Sequence, residues 1–216
     1  MMSYTARRRR SIAIIAVPIS ISACGSGVSA SHETTTTPPR PELAVSFRWT
    51  NPVEELASPD ATFVRAFIES WQAVLYSGSW KDEYPGFTAA NQRAVGIGQK
   101  DSPSTYKDVY LNVLRIDNQG TETTEAVVCL WPGAEEPHGF PTVLTYYRKG
   151  TVAPPADQTG TAKRPTGNVF GDWIATRMEQ RSESDPDWPA CDQRRPADLP
   201  SMYAELPPIP GWPAAK

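Results

Sequence analysis

A long stretch in the first half of the chain has apolar residues at helical spacing. Ser58 provides an N-cap, Pro59 suits the first helical position, and Gly78 can adopt the left-handed conformation that ends a helix. The pattern therefore predicts an amphipathic helix over residues 59–77. Its apolar face consists of Phe63, Phe67, Trp71 and Val74.

Several other stretches alternate apolar and polar residues, the period of a half-buried strand. One precedes the helix and four follow it, an order that favours the α+β class. We expect a long N-terminal helix packed on a curved, cone-like antiparallel sheet of about four strands, with an extra N-terminal strand and a Pro-rich tail. The strand-like stretches are 43–49, 109–116, 125–131, 143–148 and 169–179.

The N-terminus has the pattern of an export signal. Four arginines at 7–10 precede an apolar run at 12–21, and small residues follow it. The run is too short to cross a bilayer as a helix, which needs roughly twenty residues. The ending Ile21-Ser22-Ala23-Cys24 resembles a bacterial lipobox, whose cysteine receives a diacylglyceryl group. We therefore predict a lipoprotein signal peptide over 1–23 and lipid attachment (palmitate-type acyl chains) at Cys24.

Ordinary secretion is the alternative to lipid attachment. Val28-Ser29-Ala30 also offers small residues where a soluble-signal peptidase reads them, and cleavage after Ala30 would release an unanchored protein. Lipid attachment places the chain on the extracytoplasmic face of the cell membrane. Cleavage after Ala30 would instead make it a secreted protein.

Composition divides the remainder of the chain into three parts. Residues 24–40 are rich in Ser, Thr and Pro and predict a disordered tether. Residues 41–195 predict a single α+β domain, and residues 196–216 form a Pro-rich tail. Tyr203 and Trp212 in this tail could pack back on the domain, stay extended, or dock on a protein partner.

The number of cysteines indicates the redox compartment of the protein, and its net charge restricts the class of partner. With Cys24 assigned to lipid, Cys129 and Cys191 remain, and pairing is expected in an oxidising compartment; two unpaired thiols are the alternative. Residues 1–23 hold four arginines and no acid, so the rest has 17 basic and 24 acidic side chains, a net charge of about −7. This acidic balance argues against nucleic acid as a partner.

Few residues suggest catalysis or metal binding. His32 lies in the tether, and His138 lies in an acidic loop at 135–139 whose solvation is the simplest interpretation. As a general base His138 would need a partner carboxylate and a position in a pocket. We predict no catalytic residue, no cofactor and no metal site.

Aromatic residues are the remaining candidates for a binding site. They could line an apolar pocket for an uncharged hydrophobic or aromatic molecule, or they could simply form the core of a small domain. The speculative pocket comprises Trp71, Tyr84, Phe87, Trp131 and Trp173.

Four segments give the chain a resemblance to the nuclear transport factor 2-like (cystatin-like cone) superfamily, and in particular to small exported actinobacterial lipoproteins without an established activity. They are FVRAFIESWQAVL at 63–75, VVCLW at 127–131 around Cys129, GDWIATRM at 171–178, and WPAC at 188–191. The resemblance covers about residues 57–191. It implies a conical pocket between the long helix and the concave sheet face.

These observations lead to one expectation and two alternatives. We expect a lipid-anchored, extracytoplasmic, non-enzymatic module that binds an apolar small molecule or a neighbouring envelope protein, and that contacts the membrane through the lipid on Cys24. The first alternative is a scaffolding or accessory subunit of an envelope transport or secretion assembly. The second is an enzyme that uses the conical pocket. Fold alone does not choose among them.

Overall fold

Five strands form one open sheet whose spatial order follows the chain. In the computed structural model, which describes residues 45–92, 94–95, 108–120, 122–201 and 206–214, each strand pairs with the next. The last four strands run antiparallel, as predicted, whereas the first lies parallel to the second, a pairing that the long connection between them permits. The strands are β1 Ser46–Trp49, β2 Asp108–Asn118, β3 Thr123–Trp131, β4 Phe140–Tyr147 and β5 Ile174–Gln180.

The helix α1, Pro59–Ser77, lies between β1 and β2 in the chain. The Ser58 hydroxyl accepts a hydrogen bond from the Ala61 amide at 3.1 Å. At the other end Gly78 has a φ of 67° and donates its amide to the Val74 carbonyl at 2.9 Å. Both ends of α1 are thus set by local capping residues.

Burial of α1 extends around its whole circumference. Every residue from Ala61 to Ser70 is buried, including Arg65 and Glu69. The sheet covers one side, while the short helix α2, Phe87–Ala90, and loop residues such as Phe170 cover another. The amphipathic prediction is therefore wrong for this part of the helix, because later segments of the chain cover its polar side.

A second layer packs on the opposite face of the sheet. It contains the helix α3, Asp187–Arg194, which the hydrophobic pattern does not predict. Cys191 of α3 is bonded to Cys129 of β3, with an S–S distance of 1.97 Å and a Cα–Cα distance of 5.4 Å. This is the pairing that the cysteine count favours.

Successive side chains of β3 point alternately toward the two layers. Ala126, Val128 and Leu130 belong to the main core on the α1 side, whereas Cys129 and Trp131 belong to a separate cluster on the α3 side. This is the period-two geometry of a strand covered on both faces. The sheet is thus the middle layer of the domain.

The Pro-rich tail is part of the folded body where the structure describes it. Trp212 is only 1% exposed, so it packs back on the domain rather than extending from it. Leu199 is also buried, and the predicted boundary at residue 195 therefore does not mark the end of the folded unit. Tyr203, the predicted signal peptide at 1–23, Cys24 and the tether at 24–40 lie outside the described residues. Within the described ranges, no helix combines the length and apolar character needed to span a bilayer.

Candidate functional site

Aromatic rings fill the space between α1 and the sheet, where the family resemblance implies a conical pocket. The ring centroid of Phe63 lies 4.7 Å from that of Tyr146 and 5.9 Å from that of Trp173. Phe67 and Phe87 lie 4.9 Å apart in the same core. Among the described residues, aromatic side chains therefore pack this space as part of the core.

The five residues of the speculative pocket do not all come together: Trp71 packs against the main core that holds three of them, and Trp131 lies apart. Tyr84, Phe87 and Trp173 lie in the main core and are buried. Trp131 lies on the opposite side of the sheet, because it shares the orientation of Cys129 on β3. Trp71 is half-buried and lines an open cleft. The expectation of one aromatic pocket is corrected to a core, a second cluster and a cleft.

The Trp71 cleft, as we call it, has a volume of about 280 Å³. It lies between α1, the chain after α2, and strands β4 and β5. Asn91 fixes one wall, since its side chain accepts the Val95 amide at 3.1 Å and donates to the Val95 carbonyl at 3.3 Å. The Met178 amide donates to the Ala94 carbonyl at 3.1 Å and joins that wall to β5. The lining residues are Trp71, Ala94, Val95, Thr142, Met178, Glu179 and Gln180.

Charge in the Trp71 cleft is largely compensated. Glu179 pairs with Arg177, and its other carboxylate oxygen lies 3.3 Å from Arg181. The rest of the lining consists of apolar side chains and the uncharged residues Thr142 and Gln180. The cleft is therefore chemically suited to a neutral molecule that is mainly apolar and carries a hydrogen-bonding group.

A buried polar network lies on the other side of α1, centred on Glu69. Glu69 Oε1 accepts from Trp49 Nε1 at 2.7 Å and from Arg65 Nε at 3.0 Å. Glu69 Oε2 accepts from the Tyr84 hydroxyl at 2.8 Å and from Trp212 Nε1 at 2.6 Å. Burial, and then the neighbouring Glu69 charge, raise the pKa of Tyr84 well above its usual range, so its hydroxyl remains a donor.

Arg65 completes this network by binding backbone carbonyls. Its guanidinium donates to the carbonyls of Gln158 at 2.6 Å, Pro210 at 2.7 Å and Gly211 at 3.1 Å. Arg65 and Glu69 are each 1% exposed. Each nitrogen of the Arg65 guanidinium and each oxygen of the Glu69 carboxylate is thus hydrogen-bonded, as a buried ion pair requires. Sequence analysis missed it; the four-residue spacing on a helix was the only local signal.

His138 has surroundings that its sequence position did not reveal. Its Nδ1 lies 3.0 Å from Asp192 Oδ2, and the Gly139 amide donates to Asp192 Oδ1 at 3.0 Å. His138 also borders a cleft of about 300 Å³ with Glu183, Trp188, Pro189 and Asp192. The partner carboxylate and the cleft position are thus both present, although the imidazole side chain is 62% exposed. Asp192 follows Cys191 directly, so the disulfide brings it to this loop.

The described residues contain no group of three or more His, Cys, Asp or Glu side chains that could hold a metal ion. No family model, curated protein or solved structure matches the chain. The geometry of its own residues is therefore the basis on which a function can be proposed.

Proposed function

We propose that this chain is a lipid-anchored protein on the extracytoplasmic face of a bacterial cell membrane, and that its domain is a non-enzymatic binding module. The sequence Ile21-Ser22-Ala23-Cys24 after a short apolar run supports the anchor. The bond between Cys129 and Cys191 supports an oxidising compartment. The packing of α1 on an antiparallel meander is compatible with a relationship to the nuclear transport factor 2-like superfamily.

The Trp71 cleft is the observation that carries the binding function. Its open volume, its apolar walls and the paired charge of Glu179 favour a neutral, mainly apolar molecule. We propose that such a molecule lies against the Trp71 ring and forms a hydrogen bond with Gln180 or Thr142. The ligand would thus bind beside the core instead of within a cone.

The test compares two tryptophan variants of the full-length protein purified from membranes. We expect native mass spectrometry to detect a co-purified apolar molecule on the wild type and on Trp80→Ala. Trp80 is the matched control, because it is 48% exposed and does not line the cleft. Trp71→Ala should lose at least about 90% of the bound molecule, since Trp71 is the largest apolar side chain of the lining. Equal retention by both variants would refute the assignment of the cleft.

A scaffolding subunit of an envelope transport or secretion assembly is the second candidate. The packed interior between α1 and the sheet favours it, because a scaffold needs a filled core and no cavity. Chemical crosslinking in intact cells separates the two candidates. A stable protein partner with no bound small molecule would support the scaffold.

A further inference from the structure

The tail segment, residues 206–214, occupies a groove that has the features of a peptide-binding site. We define the tail groove by residues that contact this segment: Phe47, Arg48, Trp49, Arg65, Glu69, Tyr84, Gly160 and Ala162. We propose that the tail groove is a recognition site for this extended Pro-rich segment, and that it accepts the segment from a second copy of the chain as well as from its own. The proposal does not depend on the Trp71 cleft or on the lipid anchor.

The groove contains a pocket that selects an indole ring. The Trp212 Nε1–H donates to Glu69 at 2.6 Å, and the guanidinium carbon of Arg65 lies 4.0 Å from the centre of the ring. The Tyr84 ring packs edge-on against the same indole at 5.9 Å. An indole supplies the π face and, at the side of its ring system, the N–H donor that these groups require; phenylalanine has no donor, and the hydroxyl donor of tyrosine lies at the far end of its ring.

Backbone hydrogen bonds hold the segment on both sides. On one side the Trp212 amide donates to the Ala162 carbonyl at 2.7 Å, and the Ala162 amide donates to the Trp212 carbonyl at 2.8 Å. On the other side the Ile209 amide donates to the Phe47 carbonyl at 3.1 Å, at the outer edge of β1. Main-chain pairing of this kind is how extended peptides bind sheet edges, and it is the same whichever chain supplies the peptide.

Two glycines allow the close approach of the two backbones. A Cβ on Gly160 would lie 2.3 Å from the Trp212 carbonyl oxygen, and a Cβ on Gly211 would lie 2.7 Å from the Gly160 carbonyl oxygen. Neither position can therefore carry a side chain while the segment is seated. Gly160→Ala is thus a change that blocks the groove without altering the tail.

The prolines of the segment lower the cost of binding it. Pro207, Pro208, Pro210 and Pro213 restrict φ in the free chain and have no amide hydrogen that would need a partner. Arg65 binds the carbonyls of Pro210 and Gly211, so the acceptors of this stretch are also used. A preordered segment loses less conformational entropy when it docks, as in other Pro-rich ligands. The sequence that the structure shows to fit is this chain's own, so a second copy is the partner that we assign.

The first test offers the tail as a separate peptide. A fluorescent peptide of residues 206–216 is titrated into the full-length Trp212→Ala protein, whose own tail has lost its anchor, and binding is followed by anisotropy. We expect at least tenfold tighter binding to Trp212→Ala than to the wild type, whose groove is occupied. A peptide in which the tryptophan is replaced by alanine, and the Trp212→Ala/Gly160→Ala protein, should each weaken binding at least tenfold.

Folding of the variant is monitored so that each result is decisive. If Trp212→Ala unfolds cooperatively and does not bind the peptide, the proposal is overturned. If Trp212→Ala is unfolded, restoration of cooperative unfolding by the peptide supports the proposal. If the peptide does not restore cooperative unfolding, and if Trp212→Phe does not bind the peptide either, the segment is an inseparable part of the core. That result also overturns the proposal.

The second test addresses the second copy. Full-length Trp212→Ala keeps the groove, and full-length Gly160→Ala keeps the tail. We expect a one-to-one complex by light scattering when the two proteins are mixed, and monomers when each is measured alone. Peptide binding without this complex would overturn the assignment of a second copy and leave a tryptophan-bearing peptide of another protein as the occupant.

Discussion

Glu69 is the centre of the buried polar network in the interior of the domain. A carboxylate that is 1% exposed is strongly destabilising unless every lone pair has a partner, and here two indoles, a phenol and a guanidinium supply them. The four donors come from β1, α1, the segment before α2 and the tail. One side chain thus connects parts of the chain that lie up to 143 positions away in sequence.

We predict that Glu69→Gln lowers the free energy of unfolding by about 3–5 kcal/mol, the range found when one member of a buried pair is removed. The amide has the size of the carboxylate, but it brings two donors of its own into a site that already contains four. Arg65 would also lose its only carboxylate partner shown in the structure. Urea unfolding followed by circular dichroism measures the change.

Glu179→Gln is the matched control for this prediction, because it makes the same chemical change in an exposed pair. The side chain of Arg177 is 67% exposed, and that of Glu179 is 32% exposed. Pairs of this kind contribute at most about 1 kcal/mol. Equal unfolding midpoints for the two variants would show that the buried network does not stabilise the fold.

At the scale of elements, α3 depends on a covalent bond. It is a short helix of 8 residues, and its buried residues are only Asp187 and Cys191. Besides the disulfide, Arg115 of β2 pairs with Asp187 at its start. Isolated helices of this length are marginal in water, so tertiary contacts must supply its stability.

We predict that the double variant Cys129→Ala/Cys191→Ala loses about 4 kcal/mol of stability, the chain-entropy value for a closed loop of this size. The cysteines are 62 positions apart. Amide hydrogen exchange should show that α3 loses protection well before α1 does. Dithiothreitol should lower the urea midpoint of the wild type and leave that of the double variant unchanged. A wild-type midpoint that is insensitive to reduction would contradict this account.

The elements also show which features could be predicted from sequence. The bounds of α1 followed from Ser58, Pro59 and Gly78, because capping is decided within a few residues. The disulfide followed from a count of cysteines. In contrast, α3 has little apolar character of its own, and its position is set by Cys129 far upstream.

The candidate sites were less predictable than the elements, because they too depend on residues that are far apart in the sequence. Alternation on β3 places Trp131 with Cys129 and away from the other residues of the speculative pocket, a consequence that the grouping by residue type overlooked. The pairing of His138 with Asp192, and of Glu69 with Trp212, joins residues that only the completed fold brings together. Local patterns contain no information about these contacts.

At the scale of the whole molecule, the proposed function requires that the folded body be attached to a membrane. An acidic chain obtains little attraction from anionic headgroups, so attachment would have to come from acyl chains. Each buried methylene contributes about 0.8 kcal/mol, and more than one acyl chain is needed for a stable anchor. In the proposed function, this attachment would depend on Cys24.

We predict that the wild-type protein partitions into the detergent phase of a Triton X-114 extract and that Cys24→Ala loses lipid modification. Mass spectrometry of the N-terminus provides the readout that distinguishes the alternatives. A mature chain that begins at Cys24 and carries diacylglyceryl supports the anchor, and Cys129→Ala is the matched control, since it removes a cysteine but leaves this modification intact. A mature chain that begins at Ser31 without lipid would mean cleavage after Ala30 and a secreted protein. Because the two products differ in both mass and partitioning, one preparation decides between them.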